Sequence, residues 1–222
     1  GEAVLPGDGM EAIPKQLAEN IPSERLRVNA RVTALRGSQV YLETGENFSA
    51  DHIVVATDLN DAFRLLNIDE SLDYHPVICL YYRAPEVPHR GAFLHLNGTG
   101  KGAINNLCIL TDICPSYGDG TDHLISVTVL DGEGLLDHEL EQMVYGDLKE
   151  WFGTRVDLWE LLKIYRIPAA LPPQSQFPLP QLVLLKDKGY YFCGDYWHFA
   201  SINAAMKSGN DVANQILRKL QK

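Results

Sequence analysis

The 222 residues predict an α/β (α+β) fold. Three observations carry that expectation. The short run Ile53-Val54-Val55 is wholly apolar and β-branched, as in a strand covered on both faces. Between residues 77 and 130, strand-like runs alternate with Gly, Pro and Asn links, which reads as a mostly antiparallel meander. Residues 137–152 and 202–220 repeat apolar side chains at helical spacing.

Taken in order, Gly9 to Glu19 predicts a helix opening after a glycine turn. Met10, Ile13, Leu17 and Ala18 recur at its spacing, and Pro14 falls where a first turn tolerates it. Leu26 to Val28 and Arg31 to Leu35 predict short strands. Gly37-Ser38 makes a tight turn, and Gln39 to Glu43 returns as the second arm of a hairpin. A polar link leads to the strand around Ile53-Val54-Val55, after which Asp58 can cap a helix over Leu59 to Leu66. The meander follows, with strands over Val77 to Tyr82, Ala92 to Leu96, Ile104 to Leu110 and Leu124 to Leu130. Asp137 to Phe152 predicts a helix with Leu140, Met143, Val144, Leu148 and Trp151 on one stripe. Trp159 to Ile167 is extended, and a link rich in proline (Pro172, Pro173, Pro178, Pro180) precedes the strand Tyr190 to Cys193. A helix from Ile202 to Leu220 closes the chain, with Arg218, Lys219 and Lys222 at the end that suits cations.

A formal net charge of -10 opposes binding to phosphate backbones or anionic lipid, and no local basic patch offsets it. Cys79, Cys108, Cys114 and Cys193 form no C-x-x-C pair and sit among apolar neighbours, which predicts buried free thiols in a reducing, cytoplasmic compartment. There is no apolar run of membrane-spanning length and no signal-peptide pattern. The histidines lack metal-ligand spacing, Asp119, Asp122 and His123 do not follow a calcium-loop pattern, and no G-x-S-x-G occurs. Tyr81, Tyr82 and Phe93 are candidates to line a substrate cavity, although aromatic strand residues more often belong to the core.

Gly7-Asp8-Gly9-Met10-Glu11-Ala12 matches G-x-G-x-x-G/A, but Pro6 interrupts the strand that should feed it. Pro14 also stands in the helix it should open, so it is not read as a dinucleotide fingerprint. The C-terminal end is more informative. The apolar strand Tyr190-Tyr191-Phe192-Cys193 ends in Gly194-Asp195. An aromatic loop then runs into Ser201-Ile202-Asn203-Ala204-Ala205, with Ser208-Gly209 a turn later. A strand-end glycine admits close approach, an aspartate accepts hydrogen bonds from sugar-like hydroxyls, and a helix N-terminus stabilises developing negative charge.

This motif resembles the C-terminal FAD motif of flavin amine oxidases and phytoene desaturase-like proteins. Three further stretches resemble the same family in the same order. Gly7-Asp8-Gly9-Met10 with Ile13-Pro14 and Leu17-Ala18 is similar to its Gly-Gly-Met helix. Asn29-Ala30-Arg31-Val32-Thr33-Ala34-Leu35 is similar to its adenine-side strand, and Ala50 to Thr57 to the strand returning to the cofactor. The resemblance implies FAD as cofactor and a partial FAD-binding, Rossmann-like domain from residues 1–70 with 181–222. Residues 71–180 are then the substrate domain. It implies that Val32 contacts the adenine side, that Ala56 and Thr57 approach the dinucleotide, and that Gly194 and Asp195 sit by pyrophosphate and ribityl. Ser201, Ile202 and Asn203 are implied to border the isoalloxazine. Ser201 stands where amine oxidases often carry an aromatic residue, and Asn203-Ala204 replaces an acidic-glycine pair, which weakens the expectation of an amine substrate. The family's N-terminal strand, glycine turn and first helix have no counterpart here. The chain is therefore expected to be a C-terminal fragment, inactive alone, acting on a small and hydrophobic molecule when intact, and prone to homodimerise through an exposed sheet edge. The contrasting expectation is a non-catalytic binding domain that keeps the remnant of the fold.

Overall fold

The computed structural model describes residues 4–173 and 189–221. The chain divides into two compact units, one made of Gly1–Leu26 and Pro76–Ala170, the other of Arg27–His75 and Leu171–Lys222. The first unit therefore takes in the N-terminal helix, where the sequence reading grouped residues 1–70 together. The expected boundary near residue 180 lies outside the described residues, as do Pro178 and Pro180. The regrouping has a local cause: the Tyr117 phenol donates to Pro6 O at 2.9 Å and Ser116 Oγ to Gly7 O at 2.7 Å. Helix α1 (Ala12–Glu19) forms as expected, yet none of its residues is buried.

The first unit is built on a five-stranded sheet in the order β6-β7-β8-β5-β9. Its strands are β5 (His75–Ala84), β6 (Leu94–Leu96), β7 (Ile104–Ile109), β8 (His123–Val129) and β9 (Glu160–Leu171). The pairs β6–β7, β7–β8 and β5–β8 are antiparallel. Strand alternation sends Ile78, Leu80, Tyr82 and Ala84 of β5 and Ile125, Val127 and Val129 of β8 to one face. Helix α4 (Asp137–Phe152) lies on that face and buries Leu140, Val144 and Leu148, one residue per turn. Met143, expected on the same stripe, is 47% exposed. Tyr82 belongs to this core, whereas Phe93 is exposed and Tyr81 half-buried on the opposite face. The run expected to stay extended through Leu110 instead turns at Ile109 into the one-turn helix α3 (Leu110–Ile113).

The second unit has a three-stranded antiparallel sheet, β1 (Val32–Arg36), β2 (Gln39–Leu42) and β3 (Asn47–Ser49), and a two-stranded parallel pair, β4 (Ile53–Val55) with β10 (Tyr190–Phe192). Leu26 to Val28 is not a strand, and the polar link at 47–49 is one. Phe48 there pairs with Val40, so backbone pairing and not an apolar pattern makes the third strand. The core of this unit joins Leu35 of β1, Ile53 and Val55 of β4, and Tyr190 and Phe192 of β10. It also takes in Leu59, Ala62 and Phe63 of helix α2 (Leu59–Leu65). Helix α5 (Ile202–Leu220) covers the other side of β10, packing Val212 and Ile216 against Tyr191 and Cys193. Cys193 is buried as expected; Cys79, Cys108 and Cys114 are only half-buried, because they point away from the packed face or lie in turns, and all four thiols are free. Among the described residues, no helix is long and apolar enough to cross a membrane.

Candidate functional site

The site is built on the parallel pair. Tyr190, Tyr191 and Phe192 lie opposite Ile53, Val54 and Val55, and Cys193 N continues the ladder by donating to Val55 O at 3.1 Å. Because parallel strands run in the same direction, their carboxyl ends coincide. This register brings Ala56-Thr57 and Gly194-Asp195 to one end of the same two-stranded sheet, although they are far apart in the chain. Clefts outside the carboxyl ends of parallel strands are common ligand sites in α/β folds.

Each strand leads directly into a helical turn. After Thr57, the Asp58 carboxylate accepts from Asp61 N at 2.9 Å and caps α2, and the Leu59 amide donates to the Tyr74 phenol at 3.0 Å. After Gly194, Asp195–Trp197 forms a short 3-10 turn. Gly194 has extended backbone angles that any residue adopts, so its role is room. A Cβ there would stand 2.2 Å from the Tyr196 ring, which is buried and donates its phenol proton to Cys193 O at 3.1 Å. The space the sequence assigned to a ligand beside Gly194 is thus filled on that side by Tyr196. Ser208, 3% exposed, fastens the same glycine to α5: its Oγ accepts from Gly194 N at 2.9 Å and has Gly194 O and Ala205 O at 2.8 Å, either of which can take its proton.

Asp195 is half-buried, and burial pushes its carboxyl above the ordinary value of 3.8. The Tyr74 phenol is pushed up by burial first, with the nearby carboxylates of Asp58 and Asp195 adding to the effect. Two carboxylates therefore share this end of the sheet. They can accept hydrogen bonds from hydroxyls and oppose phosphate groups. Ser201 caps α5 by accepting from Ala204 N at 3.2 Å, leaving Ile202 and Asn203 exposed in its first turn. Val32 stands apart from the strand ends, at the start of β1, half-buried against the core of the unit. Ala56 and Thr57 are exposed.

All the residues that the sequence singled out for cofactor binding thus fall in the unit of Arg27–His75 and Leu171–Lys222. The parallel register unites Ala56, Thr57, Gly194 and Asp195, and the turn after β10 leads to Ser201, Ile202 and Asn203. Sequence reasoning passed over Tyr74 and Trp197. The Trp197 indole donates to Phe192 O at 2.8 Å, and nothing but the aromatic density of the loop signals that contact. Among the described residues, no group of three or more His, Cys, Asp or Glu side chains could hold a metal ion.

Comparisons with known proteins agree with this architecture. Searched against curated proteins, the sequence finds no match. A putative protoporphyrinogen oxidase from Exiguobacterium sp. 255-15 is similar in structure, with a TM-score of 0.74 at 14% identity over 97% of this chain and 52% of that one. Putrescine oxidase bound to putrescine has a TM-score of 0.68 at 14% identity, over 95% and 53% of the respective chains. Reduced UDP-galactopyranose mutase has a TM-score of 0.68 at 16% identity, over 86% and 47%. At these identities the likeness shows the fold, and this chain spans about half the length of the structures it matches. The family model for flavin containing amine oxidoreductases matches residues 1–217, and the chain belongs to that family.

Proposed function

We propose that the intact protein is an FAD-dependent oxidoreductase that removes a hydride equivalent from a C–H or C–N bond of a hydrophobic substrate, and that this chain carries the flavin side of the cofactor site. The observation that carries the reading is the in-register parallel pairing of β4 and β10, which puts Ala56-Thr57 and Gly194-Asp195 at one strand end. When bound, FAD supplies the electron-accepting chemistry. The chain's own groups do the rest. Asp195, partly withdrawn from water, accepts hydrogen bonds from ribityl hydroxyls. Ala56 and Thr57 offer a small, open surface at the end of β4. The first turn of α5, at Ser201, Ile202 and Asn203, presents amide donors and the positive end of the helix dipole to the reduced ring. Val32 contacts the adenine side from β1. Substrate binding falls to the sheet-based unit of Gly1–Leu26 and Pro76–Ala170.

Cofactor contact at Asp195 is tested by titrating the chain with FAD and following backbone NMR shifts. The shifts are expected at Thr57, Asp195 and Ile202. Asp195→Ala is expected to weaken the fitted affinity by about 5- to 150-fold, the effect of about 1–3 kcal/mol for an unpaired buried partner. Equal affinity in the variant would mean that Gly194-Asp195 is only a turn.

A further inference from the structure

Among the described residues, the five-stranded sheet carries its hydrophobic core on one face, under α4. On the face away from α4, β5 presents Cys79 and Tyr81 and β8 presents Ser126 and Thr128, while on β9 Leu162, Tyr165 and Ile167 remain 47%, 51% and 45% exposed. Cys79, Tyr81, Thr128, Leu162, Tyr165 and Ile167 line a groove of about 620 Å3. Its walls are mainly apolar, and the Tyr81 and Tyr165 rings meet edge to face at 5.7 Å.

Ser126, on the same sheet face, adjoins two of these lining residues, Cys79 and Tyr81. Tyr81 lies directly across the strand pair from Ser126, and Cys79 Sγ is 3.1 Å from Ser126 Oγ. A thiol and two hydroxyls thus cluster within an apolar surface, and either Cys79 or Ser126 can donate in their shared bond. Burial raises the Tyr81 phenol, the neighbouring Cys79 thiol raises it further, and hydrogen bonding to Ser126 pulls it back. Tyr81 therefore stays a neutral phenol, able both to donate and to accept. The described lining residues include no carboxylate, and the one cation among them, Lys163, sits over the Tyr165 ring with Nζ 6.0 Å from its centroid. A protonated amine would enter this groove with no counter-charge.

We propose that this groove binds a neutral, apolar molecule carrying one hydroxyl or carbonyl group, which Tyr81 and Ser126 hold in place. That such a molecule is the substrate rests on the oxidoreductase reading above. That the groove binds it does not, so the test is made without flavin.

The probes are naphthalene, naphthol and naphthylmethylammonium, titrated into the 222-residue chain by NMR. Naphthol is expected to shift the amides of Cys79, Tyr81, Ser126 and Thr128. It should bind about tenfold more tightly than the other two, the size of one net hydrogen bond. Tyr81→Phe or Ser126→Ala should remove most of that advantage and leave naphthalene binding unchanged. Four results would overturn the proposal: no shifts at these amides with any probe, tightest binding of the ammonium probe, no loss of naphthol affinity in either variant, or equal loss for naphthol and naphthalene in both. Success here with no FAD contact at Asp195 would separate this groove from the cofactor reading, and the reverse result would do so equally.

Discussion

At Gly194 the packing leaves no space for a side chain. A glycine at a strand end suggests room for a ligand. The structure gives that room to the Tyr196 ring, 2.2 Å from where a Cβ would stand. The ring is fully buried and its phenol is tied to Cys193 O, so it cannot easily yield. Gly194→Ala is therefore expected to cost about 1–3 kcal/mol through overpacking, measured as a lower urea midpoint with unchanged slope. A variant as stable as the parent would mean that the aromatic loop repacks freely. Tyr82 alternates into the core with Leu80 and Ala84, and its hydroxyl has no hydrogen-bond partner among the described residues, so what it contributes there is packing.

Among the elements, the turn between β6 and β7 is held from outside. Asp147 of α4 accepts from Ala103 N at 2.6 Å and from Ile104 N at 3.0 Å. Gly102 turns with φ +81, and a Cβ on it would meet that carboxylate at 2.5 Å, so the glycine is needed for both conformation and space. Asp147→Ala leaves two part-buried amides without their acceptor and is expected to destabilise the chain by about 1–3 kcal/mol in equilibrium unfolding. No change would show that water replaces the carboxylate at no cost.

Elements were legible in the sequence where one signal ruled. Helices α4 and α5 announce themselves by spacing, and Asp58 by its place before an apolar helix; it does cap α2. Strand β3 was missed because its stability comes from pairing with β2, and α3 because a β-branched, apolar run looks the same entering a strand or leaving one. The site was legible as residue types in order, since Gly194-Asp195 and Ser201-Ile202-Asn203 stand close in sequence. Its joining to Ala56-Thr57 depends on a long-range parallel register, which local pattern does not encode. Tyr74 and Ser208 take part through that same long-range packing.

For the whole molecule, the central claim is that cofactor affinity is divided. In the proposed reading, carboxylates at Asp58 and Asp195 face the cofactor's hydroxyls and the first turn of α5 faces the flavin ring, on a chain whose net charge of -10 repels phosphate. The sequence offers no credible glycine fingerprint: Pro6 and Pro14 break the match at Gly7–Ala12, and the match at Gly98–Ala103 turns between β6 and β7 and opens no helix. Contacts to the cofactor that leave its phosphates without a helix N-terminus are expected to be weak and rapidly reversible. The most direct measurement is visible absorbance of the purified chain after incubation with excess FAD and desalting. The account predicts no retained flavin band. A stable band near one FAD per chain would contradict it and place the main affinity in this half of the fold.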